Sequence, residues 1–415
     1  MTTTIADRAP FLSEPGLQRL MAVLSEGGDH ARIAGGAVRD ALLGRVTGDV
    51  DIATTVLPEE TLRRAEAAGF RGIPTGIEHG TITVVADGIH YEVTTLRSDV
   101  ETDGRHAKVA FGRDWQADAE RRDFTINGLY AEADGTVVDL VGGLADLDKR
   151  LLRFISDADQ RIREDYLRIL RFFRFFAWFG EGRPDAEGLK ACARLKQGVS
   201  GLSAERIWNE MRKLLSAPDP SRALLWMRTS GVLSLVVPET EKWGIDAIHG
   251  LVKAEQEQGW APDALLRLAA IIPPTAERIG SLSQRLRLSK AETKRLEAWA
   301  NAAPTPADQS TQDLARRIHA HGRDGIRDRL KLQIANAAAA GNDTAPLLAL
   351  LHHGESWEVP AFPITGADLL ERGMAAGPEV GRILKQLEAE WSAADFKLGR
   401  DDLLQRAGVL AGEAS

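Results

Sequence analysis

An α/β head followed by an all-α remainder is the fold class that the sequence predicts. Three observations predict it. Short alternating or β-branched runs, separated by glycine turns, fill residues 1–150. From about Asp157 onward these strand signals fade, and Leu, Ala, Arg and Glu recur at helical spacing. The composition, 44% hydrophobic and 27% charged over 415 residues, allows real cores. At about 150 residues per domain, the length suggests two to four domains.

The elements follow in order. Strands are expected at Arg32–Ala34, Val50–Ala53, Thr81–Ala86, Tyr91–Leu96 and Thr136–Leu140, with helices at Gly36–Leu43 and Glu59–Ala68. Two proline-rich stretches punctuate the helical part, Pro218-Asp219-Pro220 and Ala302-Ala303-Pro304-Thr305-Pro306. The expected division is a head over 1–150, a neck over 151–219, a body over 220–310 and a tail over 311–415. No internal repeat is apparent.

Composition excludes several classes. No apolar run reaches the roughly 18 residues needed to span a bilayer, so no membrane partner is expected. The first ten residues, MTTTIADRAP, lack the pattern of a signal peptide. One cysteine, Cys192, permits neither an internal disulfide nor a zinc cluster. A cytoplasmic enzyme is the expectation. The net charge of -8 argues against a uniformly basic surface. Locally basic segments at 161–174, 285–295 and 316–331 still leave room for a nucleic-acid partner.

The chemistry starts at Asp49 and Asp51. Two residues apart in a strand-like segment, they are expected to project from one face. Carboxylates held side by side repel one another and stay ionised readily when a cation lies between them. A pair of Mg²⁺ ions about 4 Å apart could use such aspartates to activate a 3′ hydroxyl and stabilise a departing pyrophosphate. Gly35-Gly36, just before a helix, would let backbone N–H groups approach a triphosphate. Arg39 adds a charge on that helix. A lone D-x-D or Gly-Gly is common, and the joint spacing is what makes the pattern specific. Glu92, a charge in the β-prone run Tyr91–Thr95, is the candidate third carboxylate. Its plainer reading is a solvent-facing strand residue.

These residues carry a resemblance. GGAVRDALLGRVTGDVDIATT, residues 35–55, resembles motif A of the class II CCA-adding tRNA nucleotidyltransferases, of the polymerase-beta-like superfamily. Arg121–Gly128 resembles the family's ribose-recognising motif B. Asp139–Arg153 resembles motif C, the joint between head and neck. Glu164-Asp165-Tyr166-Leu167-Arg168 with Arg171 resembles motif D. Arg206, Glu210 and Lys213 fit the looser motif E. The resemblance covers most of the first 215 residues, with its motifs in order.

It implies a nucleotidyltransferase head, Mg²⁺ as cofactor, CTP and ATP as substrates, and the 3′ end and elbow of tRNA as partner. Asp49, Asp51 and Glu92 would be catalytic, with metal on Asp49 and Asp51. Gly36, Arg39, Arg122, Asp123, Asp165, Arg168, Arg171 and Arg174 would bind the nucleotide. On one helix face, Asp165 and Arg168 could read the edges of both cytosine and adenine in place of a template, with Arg171 and Arg174 on phosphates. The plainer reading of that couple is an ordinary helical ion pair. Asp123 could likewise only cap the helix after it.

Gly76–Val84 resembles the CCA-adding rather than the poly(A) pattern. Arg97–His106 resembles the loop with which full CCA enzymes switch from CTP to ATP, or is a polar surface loop. Farther on, Arg316, Arg317, Arg323, Arg327, Arg329 and Lys331 would make a phosphate-binding face, unless Asp324 and Asp328 balance it. Ile364–Trp391 resembles the tail of bacterial relatives, with a helix boundary at Gly377-Pro378. The alternatives are a poly(A) polymerase, a partial CC- or A-adding enzyme, and a non-catalytic RNA-binding protein. No His-Asp pair supports a metal phosphohydrolase.

Overall fold

The computed structural model describes residues 2–103, 106–241 and 245–413. The chain forms two compact units, residues 1–238 and 239–415. In chain order, unit 1 opens with α1 (Pro15–Leu24), β1 (Ala31–Ala34), α2 (Gly36–Leu42), β2 (Asp51–Thr54) and α3 (Pro58–Ala67). Next come β3 (Arg71–Gly76), β4 (Thr81–Ala86), β5 (Ile89–Thr95), β6 (Arg97–Asp103) and β7 (His106–Phe111). The head ends with α4 (Trp115–Glu120), β8 (Leu129–Ala131) and β9 (Val137–Asp139). Helices α5 (Gly143–Asp148), α6 (Ala158–Glu164), α7 (Leu167–Phe179), α8 (Ala186–Leu195), α9 (Ala204–Leu215), α10 (Ser221–Thr229) and α11 (Val232–Val236) complete the unit.

Among the described residues, seven strands form one sheet in the order β3-β4-β5-β2-β1-β8-β9. The β2–β5 pair is parallel and the others are antiparallel. The interior strand β1 is buried on both faces, as its run Ala31-Arg32-Ile33-Ala34 allows. Two strands of this sheet went unpredicted. In β3, Pro74 cannot donate to a ladder, and it sits at the sheet edge within a register shift between Ile73 and Gly76. In β8, three residues are too short a run to carry a period.

Two expectations are corrected. The central strand β2 begins at Asp51, so Asp49 lies in the preceding loop and strand alternation does not align the pair. Much of the Arg97–His106 segment is not a loop: β6 and β7 pair as a two-stranded hairpin. Gly104 and Arg105 lie outside the described residues.

The helical half of unit 1 gathers around α7. Its buried stripe of Leu167, Leu170, Phe172, Phe173, Phe175 and Phe176 packs Phe172 against Phe154 at 5.4 Å and Phe175 against Phe124 at 5.3 Å. Aromatic pairs at such separations add about 0.5–1.5 kcal/mol each beyond burial. Asp139 knits the head to these helices by accepting from the backbone N–H groups of Val141, Gly143 and Leu144.

Unit 2 is built of α12 (Ala247–Gln258), α13 (Ala264–Ile271), α14 (Ala276–Leu286), α15 (Lys290–Asn301), α16 (Thr311–His321) and α17 (Arg323–Ala339). It ends with α18 (Ala345–Ser356), α19 (Gly366–Glu371), α20 (Pro378–Ala393) and α21 (Arg400–Glu413). Pro378 stands at the first turn of α20, where the Gly377-Pro378 boundary was expected. Ile364, Leu369, Ile383, Leu387 and Trp391 share a core with Leu403 and Leu404.

The expected basic face over 316–331 is largely neutralised. Arg316 pairs with Asp313 and Asp395, Arg327 with Asp324 and Asp328, and Lys331 with Glu355. Arg317 donates to Thr305, Gln309 and the Ala303 carbonyl, and Arg323 to the Trp357 carbonyl. No described helix is long and apolar enough to cross a membrane.

Candidate active site

The register of the sheet brings the candidate groups together on its interior strands. Ala34, the last residue of β1, pairs with Asp51, the first of β2. Asp51 in turn pairs in register with Glu92 on β5. Directly paired residues project from the same face, so both carboxylates stand on one side of the sheet. The glycine turn leaves β1 at this point, where the Gly35 N–H donates to the Leu129 carbonyl at 2.8 Å.

The three acids feel one another. Although Asp51 is solvent-accessible, its carboxyl is pushed up to about 6, first by partial desolvation, then by Glu92, with Asp49 adding to it. Arg122 opposes the shift. This is the repulsion expected of carboxylates gathered for a cation. Among the described residues, no three acidic, His or Cys side chains are already converged as a metal cluster. Glu92 is therefore a neighbour in register, and Asp49 approaches from its loop.

A cavity of about 540 Å³ contains seven of the eight predicted nucleotide residues: Gly36, Arg39, Arg122, Asp123, Asp165, Arg168 and Arg171. Gly35, Asn127, Leu167, Phe175 and Arg206 complete the lining. Gly35 has φ +62°, and a Cβ there would lie 3.0 Å from Arg122 Nη1 and 3.3 Å from the Asn127 carbonyl oxygen. A side chain is excluded by both conformation and space. Gly35→Ala is expected to cost about 1–2 kcal/mol of stability, read by urea denaturation, and to weaken CTP binding. Unchanged stability would mean that the turn can relax.

Asn127 ties the cavity floor together. Its Oδ1 accepts from Arg39 at 2.5 Å, its Nδ2 donates to Asp123 at 2.9 Å, and its carbonyl accepts from Arg122 at 3.3 Å. Arg39 is buried and lies over the Phe179 ring at 3.9 Å. Arg122 also reaches Tyr130 Oη at 3.2 Å and Asp118 at 3.3 Å. Asp118 is buried, and it accepts from Tyr130 Oη at 2.6 Å and from Arg121 at 2.7 Å.

Asp123 does not cap a helix. Its Oδ1 accepts from the Phe124 N–H and Asn127, and its Oδ2 takes Arg171 at 2.5 Å. Burial works to raise this carboxyl, but Arg171 and Asn127 outweigh burial and hold it below the usual range. Every oxygen of Asp123 is thus already engaged.

The motif D residues are placed differently from expectation. Asp165 precedes α7, with extended backbone, and is not on its face. Its Oδ1 accepts from the Leu167 N–H at 3.0 Å and its Oδ2 from Arg206 at 2.6 Å. Arg168 bonds Glu164 and the Arg161 carbonyl. Asp165 and Arg168 are therefore not an ion pair. Each is braced by another partner and both face one cavity. Arg174 lies outside the cavity lining, paired with Glu210 at 2.5 Å and stacked on Phe175 at 4.1 Å. Motif E thus fastens Asp165 and Arg174, through Arg206 and Glu210 on α9.

Asn127, Asp118 and Glu164 had no assigned role in the sequence. Asn127 and Glu164 lay within matched motifs, which was the available signal. Asp118 offered none, because its partner Tyr130 is twelve residues away.

Comparison with known proteins agrees with this geometry. Residues 31–153 match the family described as Poly A polymerase head domain, and residues 183–243 match the probable RNA and SrmB-binding site of polymerase A. The chain is 35% identical over 407 residues to CCA tRNA nucleotidyltransferase 1, mitochondrial, of Mus musculus, covering 94% of this chain and 89% of that protein. It is 34% identical over 390 residues to the CCA-adding enzyme of Streptococcus sanguinis, covering 90% and 91%. The crystal structure of the Bacillus stearothermophilus CCA-adding enzyme in complex with CTP superimposes with a TM-score of 0.75 at 26% identity, covering 97% of this chain and 99% of that one. With identity at this level across nearly the whole chain, and a matching head, the protein belongs to the family of CCA-adding tRNA nucleotidyltransferases.

Proposed function

We propose that this chain adds CMP and AMP to the 3′ end of tRNA from CTP and ATP, releasing pyrophosphate, with no nucleic-acid template. The observation that carries this reading is one unit holding both a pair of carboxylates in register on one sheet face and a cavity bordered by Asp165 and Arg168. Nucleotidyl transfer in this family is metal-dependent. The residues fit a divalent cation, because the raised Asp51 carboxyl reports crowding that positive charge relieves. We assign Mg²⁺ to Asp49 and Asp51, with Glu92 beside them. When bound, such ions supply Lewis-acid stabilisation of phosphoryl oxygens and of an attacking hydroxyl.

The chain's own residues bind and orient. Gly35 and Gly36 leave room for a close backbone approach to the triphosphate. Arg39 and Arg122 place fixed positive charge in the same cavity. Asp165 accepts from the exocyclic amino group, N4 of cytosine or N6 of adenine. Arg168 donates to the ring acceptor, N3 of cytosine or N1 of adenine. Arg206 and Glu164 hold these two in place. Arg171 keeps Asp123 ionised at the ribose end, and Arg174 braces Glu210. Little covalent chemistry falls to the protein, so positioning dominates.

Functionally we divide the chain into head 1–150, neck 151–219, body 220–310 and tail 311–415, laid over the two compact units. The tail is assigned to the tRNA elbow, and the setting to the cytoplasm, in keeping with a single cysteine.

With CTP alone, a tRNA lacking its terminal triplet should gain two cytidines. With ATP alone it should gain nothing. A ladder of adenosines from ATP alone would instead favour a poly(A) polymerase. Asp165→Asn is expected to weaken CTP and to ease the rejection of UTP, whose O4 is an acceptor that a carboxylate repels and an amide can pair, while its N3–H still opposes the donor-only Arg168. The kcat/KM ratio of CTP to UTP should fall about tenfold or more, and an unchanged ratio would remove Asp165 from base selection.

A further inference from the structure

Unit 2 contains a cavity of about 670 Å³ that plays no part in the site described above. Small-molecule sites span about 300–1,000 Å³. Its walls are mostly apolar, with Ala269, Ala270, Pro274, Pro304 and Leu332 among them.

Two polar features distinguish it from a packing gap. Arg329 on α17 lines the cavity, half-buried, with no ion pair among the described residues. Its neighbours Arg316, Arg327 and Lys331 are all ion-paired, and Arg317 and Arg323 are hydrogen-bonded. Asp246 borders the same cavity, yet no ion pair joins it to Arg329. Burial alone pushes the Arg329 guanidinium pKa down, with no acid opposing it. Second, the Nε1–H of Trp299 is buried with no acceptor. Trp299 also lines the cavity, and its ring centroid lies 6.0 Å from Arg329 Cζ. A half-buried cation with no counter-ion gains from an incoming anion.

We propose that this cavity binds a small amphipathic monoanion, with an apolar or aromatic body and one carboxylate, sulfonate or phosphate met by Arg329. The apolar walls supply the burial, and Arg329 supplies the selection for negative charge.

The test uses the full chain with the catalytic cavity saturated by CTP. The probes are 8-anilinonaphthalene-1-sulfonate and its uncharged counterpart N-phenyl-1-naphthylamine, followed by fluorescence. One saturable sulfonate site is expected. Arg329→Met should weaken the sulfonate about tenfold and leave the neutral probe within about twofold. Ala270→Leu, with its circular dichroism retained, should abolish both by filling the cavity. The Arg329→Met comparison decides the matter if Ala270→Leu does not fold. Absence of a saturable site, or equal loss of both probes in Arg329→Met, would overturn the proposal. Displacement of the sulfonate by tRNA would overturn it too, making Arg329 a phosphate contact instead.

Discussion

Asp51→Asn is expected to lower nucleotidyl transfer by about 10³-fold or more while raising the melting temperature of the metal-free protein at neutral pH. The two effects have one cause. Asp51 opens the central strand beside Glu92, with Asp49 close enough to add to the repulsion. Its carboxyl is raised from 3.8 to about 6. A raised carboxyl means that the folded protein holds a proton that the unfolded chain has released. In the metal-free protein this group therefore costs stability as pH rises from about 4 to about 6, and the cost is complete above that window. An amide removes the charge and with it the cost.

A divalent cation acts oppositely, since it binds the ionised carboxylate and competes with the proton. Affinity for Mg²⁺ should climb with pH up to about 6 and then level. Addition of Mg²⁺ should raise the melting temperature of the parent protein and leave Asp51→Asn unmoved. Pyrophosphate release and thermal melts in EDTA and in Mg²⁺ make the measurement. Full transfer by Asp51→Asn, or an equal Mg²⁺-induced shift in both proteins, would remove Asp51 from the metal site.

Arg171→Ala should damage stability and substrate binding together. Asp123 is buried and gives Oδ2 to Arg171, while Oδ1 is shared between Asn127 and the Phe124 N–H. Deleting the arginine leaves a buried charge short of its main counter-charge. Because Arg171 is itself about one-third exposed, a loss of about 2–3 kcal/mol is expected, below that for a fully buried pair. The pH dependence has the opposite sense to that of Asp51. Asp123 sits below its usual range, so its contribution is present above the unfolded carboxylate pKa and is lost as pH falls through the folded one. The double variant Asp123→Asn, Arg171→Met removes both charges. It should recover most of the stability and still bind CTP weakly. If CTP affinity returned along with stability, the pair would be a brace for the fold and not part of the nucleotide site.

The sequence by itself determined the class of fold, the family and the identity of seven of the twelve residues lining the cavity. The reason is that these depend on local order: a glycine turn before a helix, a D-x-D at a strand, and motif residues at fixed spacing. Partnership was another matter. Asp165 and Arg168 read as a helical pair three residues apart, yet the chain is extended at Asp165, and each is held by a residue elsewhere, Arg206 and Glu164. Arg174 read as a phosphate contact, and Glu210 on another helix draws it away. The basic stretch over 316–331 read either as a phosphate-binding face or as one balanced by Asp324 and Asp328; those two acids do pair with Arg327, and others up to 79 positions away join them, as Asp395 does on Arg316. Charge attracts through space without regard to sequence separation, so only the tertiary structure decides which acid neutralises which base. The same holds for Asp51. Two aspartates were visible in the sequence, but the Asp51 carboxyl is pushed up first by burial in the fold and then by Glu92, which sheet register sets beside it across 41 residues of chain.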